Sequence, residues 1–233
     1  MIERTAGPCE DLAMTDNPIV HIIDDDTSLR EALVRLFRSV GLEARPYVSV
    51  AAFLEAGNND TPGCLLLDVR LPGMSGLDFQ RQLEDLGIRM PAIMMTGHGD
   101  IPMSVSAMKA GAVDFLPKPF RDQDLLDAVA IAIERDSRNR TDNREKDQLQ
   151  ALYESLTRRE RQVMTRVCAG RLNKQVAADL DLSEITVKIH RGTMMKKMRA
   201  RTLADLVRMA QILGLKDPHV DASGLARLDS HDL

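Results

Sequence analysis

The amino-acid sequence predicts an α/β fold, a doubly wound parallel sheet of five strands, followed by a small all-α domain of four helices. Three observations carry that expectation. Short, nearly all-apolar runs alternate with amphipathic stretches as far as Ile133. The next segment, Glu134–Gln148 (ERDSRNRTDNREKDQ), has no apolar side chain. Beyond it the pattern is helical, in short pieces, and the charge changes sign. Strands apolar on both faces and interleaved with helices belong to parallel sheets covered on both sides.

In chain order, the strands are expected at Ile19–Ile23, Glu43–Tyr47, Cys64–Leu67, Ala92–Thr96 and Asp114–Leu116. Helices fall between them near Ser28–Val40, Val50–Ala56, Gly76–Asp85, Pro102–Ala110 and Asp122–Ile133. This first domain is placed at residues 17–134. Residues 135–154 read as a charged helical linker that runs into solvent, because most of it has no face to bury. The second domain is placed at 155–216. Thr157 and Glu160 have the spacing of a capping box, and Gly170 stands where that helix would end. Asn173–Leu180 makes a short second helix. Ser183 N-caps a third that runs to about Met198, and Thr202–Leu213 is the fourth. On the third helix Met194 and Met198 each fall within about 20° of Val187, a core stripe. On the fourth, Leu203, Leu206, Val207, Ala210 and Leu213 form the inward stripe. Met209 and Ile212 lie outside it as a candidate dimer seam. Residues 1–16 and 217–233 read as flexible tails.

The net charge of −4 conceals a split. Residues 17–133 carry −6 and residues 157–216 carry +9. An acidic part joined to a basic part points to two jobs, and the basic part has the electrostatic footprint of a nucleic-acid binder. No apolar run approaches the roughly 20 residues of a membrane helix, and no signal-peptide core precedes the first strand. No membrane partner is therefore expected. Cys9, Cys64 and Cys168 are scattered, neither a disulfide framework nor a metal motif, which points to a reducing cytoplasm.

In open α/β sheets, ligands bind beyond the carboxyl ends of the strands. Asp24-Asp25-Asp26 follows the first strand, Asp68 closes the leucine run Leu65–Leu67, Thr96 ends the fourth strand, and Lys118-Pro119 follows the fifth. Burying an unpaired carboxylate is costly, so Asp68 at the end of an apolar strand points to use. Hard oxygens gathered on one rim suit Mg²⁺. Asp68 is then a candidate nucleophile toward phosphorus, with Thr96 and Lys118 neutralising the transferred oxygens. Simpler readings stay open: the aspartates at 24–26 cap the next helix, and Thr96 is a turn residue. A Mg²⁺-dependent phosphatase of the haloacid-dehalogenase pattern would carry Asp two residues after its nucleophile, where Arg70 stands. A phosphorelay or interaction module without a DNA role is a third reading.

On the third C-terminal helix, the face opposite the core stripe holds Ile185, Lys188, Ile189, Gly192 and Lys196. In a major groove, lysine reaches guanine O6/N7 and isoleucine touches a thymine methyl. The bland alternative is a solvated cationic helix. With the preceding helix Asn173–Leu180 and the short turn DLSE that follows it, the pattern is a helix-turn-helix. Thr186 and Arg191 are further candidates for phosphate contacts.

The order DD, D, T, KP, together with TGHGDIPMSVSAMKAGAVDFLPKPF (Thr96–Phe120), resembles the receiver domain of two-component response regulators, in the FixJ-type subgroup. The resemblance implies strand order 2-1-3-4-5 and phosphorylation of Asp68 by a sensor histidine kinase. It implies Mg²⁺ held by Asp25, Asp68 and the Arg70 backbone carbonyl, with Asp24 holding a metal-bound water. It also implies a cis Lys118–Pro119 bond that aims the lysine inward, modulation of hydrolysis by Arg70 and His98, and a switch in which Thr96 and Phe115 move together. The surface of the fourth helix and fifth strand, including Pro102–Lys109, would then form a dimer face.

LTRRERQVMTRVCAGRLNKQVAADLDLSEITVKIHRGTMMKKM resembles the LuxR/NarL-type DNA-binding domain. That implies Lys188, Ile189 and Gly192 near base edges and Lys174 and Lys196 near phosphates. The expected whole is a phosphorylation-controlled transcription factor and not a turnover enzyme. Its expected partners are the kinase, double-stranded promoter DNA and a second copy of the chain, with RNA polymerase a further candidate.

Overall fold

The computed structural model describes residues 17–57, 60–97, 105 and 107–215. The chain divides into two compact units, Met1–Arg140 and Thr141–Leu233. His98, both tails and part of the helix expected over Pro102–Ala110 (residues 102–104 and 106) lie outside the described residues.

The first unit is a five-stranded, all-parallel sheet in the order β2-β1-β3-β4-β5. The strands are β1 Ile19–Ile23, β2 Glu43–Tyr47, β3 Gly63–Asp68, β4 Ala92–Thr96 and β5 Asp114–Pro117. Helices α1 Thr27–Ser39, α2 Val50–Glu55, α3 Gly76–Gln82 and α4 Asp122–Glu154 follow in turn. β1, β3 and β4 are buried along their whole length, which explains their nearly all-apolar sequence. Side chains alternate across the sheet, so Leu65 and Leu67 pack with Phe53 and Phe79 on one face. Cys64 and Leu66 pack with Phe37 and Leu125 on the other. β2 is an edge strand, the position in which its Pro46 forfeits least.

β3 starts under close constraint. Gly63 has φ +142°, and a Cβ there would lie 1.9 Å from the Ile19 carbonyl oxygen. Its N–H donates to Asp136 Oδ2 at 2.9 Å, and Arg140 Nε donates to the same oxygen at 2.7 Å. Arg140 also donates to the carbonyls of Thr61 and Asp60. This corrects the reading of Glu134–Gln148 as wholly solvated. Asp136 is buried, and with Arg140 it fastens α4 to the foot of β3. Beyond that anchor the helix is attached again: Glu145 pairs with Arg208 at 3.3 Å, and Leu149 is buried.

The second unit contains α5 Arg158–Cys168, α6 Asn173–Leu180, α7 Glu184–Lys197 and α8 Leu203–Ile212. The capping box Thr157/Glu160 is present, and Ser183 caps α7 through the Thr186 N–H. Val187, Met194 and Met198 are fully buried in one core with Val163, Met164, Val176 and Leu206. The stripe on α8 departs from expectation at two places. Leu203, expected inward, is exposed, whereas Met209, expected outside, packs against the core. Leu203 is the first residue of α8, where the chain has not yet turned fully onto the core.

Candidate functional site

The acidic site follows from strand register. Ile23 pairs with Leu67, so the next residues, Asp24 and Asp68, leave the sheet side by side. Thr96 pairs with Pro117, which brings Lys118 to the same rim, and the Lys118 N–H donates to the Thr96 carbonyl at 2.6 Å. The Lys118–Pro119 peptide is cis. Lys118 Nζ donates to Asp24 Oδ2 at 2.6 Å and to Asp68 Oδ2 at 2.9 Å. One oxygen from each of Asp24, Asp25 and Asp68 lies within 4.8 Å of the others.

The three consecutive aspartates divide their work. Asp26 caps α1, its Oδ1 accepting from the N–H groups of Ser28 and Leu29. Asp24 is fully buried and turned to the lysine, and Asp25 is exposed at the mouth. Helix capping therefore accounts for one aspartate and leaves two for the site.

Electrostatics set this cluster apart. Burial pushes the Asp24 carboxyl above its ordinary range, against the pull of the Lys118 hydrogen bond. Burial works against the Lys118 charge too, but its hydrogen bonds to Asp24 and Asp68 win and raise it. Among the described residues Lys118 is the one cation bonded to any of these three carboxylates, so negative charge is in excess. Hard oxygens at this spacing fit Mg²⁺, which binds through few carboxylates and keeps water or phosphate in its other positions.

Thr96 is fully buried at the end of β4, beside the strand that carries Asp68. The Arg70 N–H donates to Asp68 Oδ1 at 3.2 Å, while its side chain is exposed. Phe115 is half-buried against the core on the Phe53 face. One residue of the site escaped the sequence reading. A Cβ on Gly76 would sit 2.1 Å from the Asp68 carbonyl oxygen, so glycine lets the β3–α3 loop fold back behind the phosphoacceptor candidate. The signal was there as the Gly after the Ser75 N-cap, but only the fold shows what it approaches.

In the second unit Lys174, Lys188, Ile189, Gly192 and Lys196 are all exposed. Nothing lies within 4 Å of a Cβ built on Gly192, so packing does not require glycine there. The adjacent lysines separate. Lys196 stays in solvent, while Lys197 Nζ donates to the buried Glu160 carboxylate at 2.7 Å and to the Ser155 carbonyl. Arg191, half-buried, donates to Asn173 Oδ1 at 3.0 Å and ties α7 to the start of α6. The Thr186 and Ser183 hydroxyls are hydrogen-bonded to each other at 2.8 Å.

Residues 20–130 match the response regulator receiver domain, and residues 154–210 match the bacterial regulatory proteins of the luxR family. The chain is 56% identical over 203 residues to nodulation protein W of Bradyrhizobium diazoefficiens, covering 87% of this chain and 89% of that protein. It is 44% identical over 197 residues to the transcriptional regulatory protein FixJ of Rhizobium meliloti, covering 84% and 96%. Among solved structures, the response regulator StyR aligns with a TM-score of 0.73 at 45% identity, covering 84% of this chain and 98% of that one. Full-length FixJ from B. japonicum aligns at 0.52 and 37% identity, covering 87% and 100%. A rim of aspartates and a lysine on a 2-1-3-4-5 sheet, followed by a basic helix-turn-helix, agrees with these matches: the chain belongs to the two-component response regulators, with a receiver domain joined to a LuxR-type DNA-binding domain.

Proposed function

We propose that Asp68 accepts a phosphoryl group from a sensor histidine kinase, and that this promotes dimerisation and sequence-specific binding to promoter DNA in the cytoplasm. The observation that carries the proposal is the convergence of Asp24, Asp25 and Asp68 within 4.8 Å, with Lys118 bonded to two of them. A carboxylate oxygen of Asp68 attacks phosphorus, and the bond from phosphorus to the kinase histidine nitrogen breaks. Lys118 releases part of its hold on Asp68 and meets a phosphoryl oxygen, and the Thr96 hydroxyl donates to another. Asp25, Asp68 and the Arg70 carbonyl would hold Mg²⁺, with Asp24 reaching it through water. The ion supplies charge neutralisation for the phosphoryl oxygens.

Phosphorylation adds about one negative charge and new acceptor oxygens at the end of β3. It favours the active arrangement only by the contacts that differ between the two states, with Thr96 and Phe115 as the moving pair. The acyl phosphate is then lost by hydrolysis, so the chain acts on itself and does not turn over external substrate.

Fluoroberyllate, an acyl-phosphate mimic, tests this reading. Wild-type chain should gain affinity for target duplexes and shift from monomer to dimer by light scattering, and Asp68→Asn should do neither. Equal gain in both proteins refutes the switch.

A further inference from the structure

The recognition face of α7 carries two apolar side chains that no described residue covers. Ile185 is 73% exposed and Ile189 63%. They sit four residues apart, one turn along the same face, so they are separated by about 6 Å along the helix axis. Exposed Lys188 lies between them in sequence, and exposed Lys196 continues the face. Single exposed isoleucines are ordinary, but two in line on a lysine-bearing face are poorly suited to water and to a protein partner alike.

The fold explains neither residue. The core side of α7 is filled by Val187, Met194 and Met198, and the leading turn is already capped by Ser183. Ile185 is the second residue of α7. In a helix-turn-helix, the N-terminal residues of the second helix are those that meet base edges. One apolar group is available to them in the major groove, the 5-methyl of thymine. Two isoleucines about 6 Å apart match methyls about two base-pair steps apart, at 3.4 Å per step.

Resting on the DNA-binding reading above, we propose that Ile185 and Ile189 together read two thymine methyl groups, and that Ile185 is a specificity-determining residue of this regulator. Gly192, next along the same stripe and open to solvent, projects no side chain between the helix backbone and the DNA.

The test uses the full chain treated with fluoroberyllate and duplexes selected by it from a random 20-base-pair pool (~20 being about two helical turns). Each thymine of a selected duplex is replaced singly by uracil, which removes the methyl and leaves pairing intact. Wild-type affinity should fall about fourfold at each of two positions, the effect of one buried methyl group. Ile185→Ala should abolish the uracil penalty at one position and Ile189→Ala at the other, with the salt dependence of binding unchanged. Because uracil substitution is read on wild-type protein, the result does not depend on how the variants fold. Binding that is indifferent to uracil everywhere overturns the inference and leaves the DNA-binding reading standing, as does an Ile185→Ala variant that keeps both penalties. A pool that yields no salt-dependent binder refutes the DNA-binding reading itself.

Discussion

Two buried ion clusters of nearly the same dimensions sit in the two halves of this chain. In the receiver, Lys118 Nζ lies 2.6 Å from Asp24 and 2.9 Å from Asp68. In the DNA-binding domain, Lys197 Nζ lies 2.7 Å from Glu160. Distance alone does not separate them, but the surroundings do. Burial works against the Glu160 charge, yet Lys197 and the Thr157 N–H and hydroxyl overcome it and hold the carboxyl below its ordinary range. That carboxylate is balanced, and it fixes the end of α7 against the start of α5. Asp24 is displaced the opposite way: burial raises it past the pull of the Lys118 hydrogen bond, the neighbouring Asp68 charge adds to the rise, and one lysine is left to serve two carboxylates with a third beside them. A balanced buried pair is a fastening. An unbalanced one is a site that gains from a cation or from phosphoryl chemistry.

Breaking the balanced pair should have the largest effect on stability. Glu160→Gln leaves Lys197 without its counter-charge and should destabilise the DNA-binding domain by about 3 kcal/mol. Urea unfolding followed by circular dichroism reads this, and an unchanged midpoint would erase the distinction between the clusters.

Another buried titratable group sharpens the comparison, since it is neutral. His21 lies in β1, bonded to the Tyr47 hydroxyl and the Thr61 hydroxyl and packed on Phe53. Burial, helped by Arg45 and opposed by Glu43, brings it from its ordinary 6.5 down to about 4. The unfolded chain therefore binds a proton near pH 6.5 that the folded chain refuses. Stability is fully present above pH 6.5 and falls as the pH drops toward 4. The loss should be about 2 kcal/mol between pH 7 and 5, and His21→Gln should remove most of that slope in urea melts at the two pH values.

The unbalanced cluster should respond with the opposite sign and more weakly. In EDTA, Asp25→Asn relieves charge crowding and should raise the unfolding free energy of the receiver by about 1 kcal/mol, read from urea melts. With excess Mg²⁺ the order should reverse, because the wild-type chain gains binding energy that the variant lacks. A variant less stable under both conditions would mean that the acids are not in excess.

Much of this was legible in the sequence. Nearly all-apolar strands ending on charged or hydroxyl residues announced both the sheet and its rim. What stayed hidden depends on contacts far apart in the chain. Asp24, Asp25 and Asp26 are chemically identical, and only the folded chain shows that Asp26 caps α1 while Asp24 meets Lys118. Asp136 and Arg140 show an ordinary i,i+4 spacing within a charged run, yet the Asp136 partner is the N–H of Gly63, 73 residues earlier. Adjacent Lys196 and Lys197 part company because Glu160, on another helix, reaches only the second. Leu203 and Met209 exchanged places because helical periodicity fixes a stripe without fixing where the helix first meets the core.

The most direct test of the central claim is the intact mass of the chain after incubation with acetyl phosphate and Mg²⁺. Wild type should gain one phosphoryl group, and both Asp68→Asn and wild type in EDTA should gain none. Equal incorporation in Asp68→Asn would place the acceptor elsewhere and contradict the account.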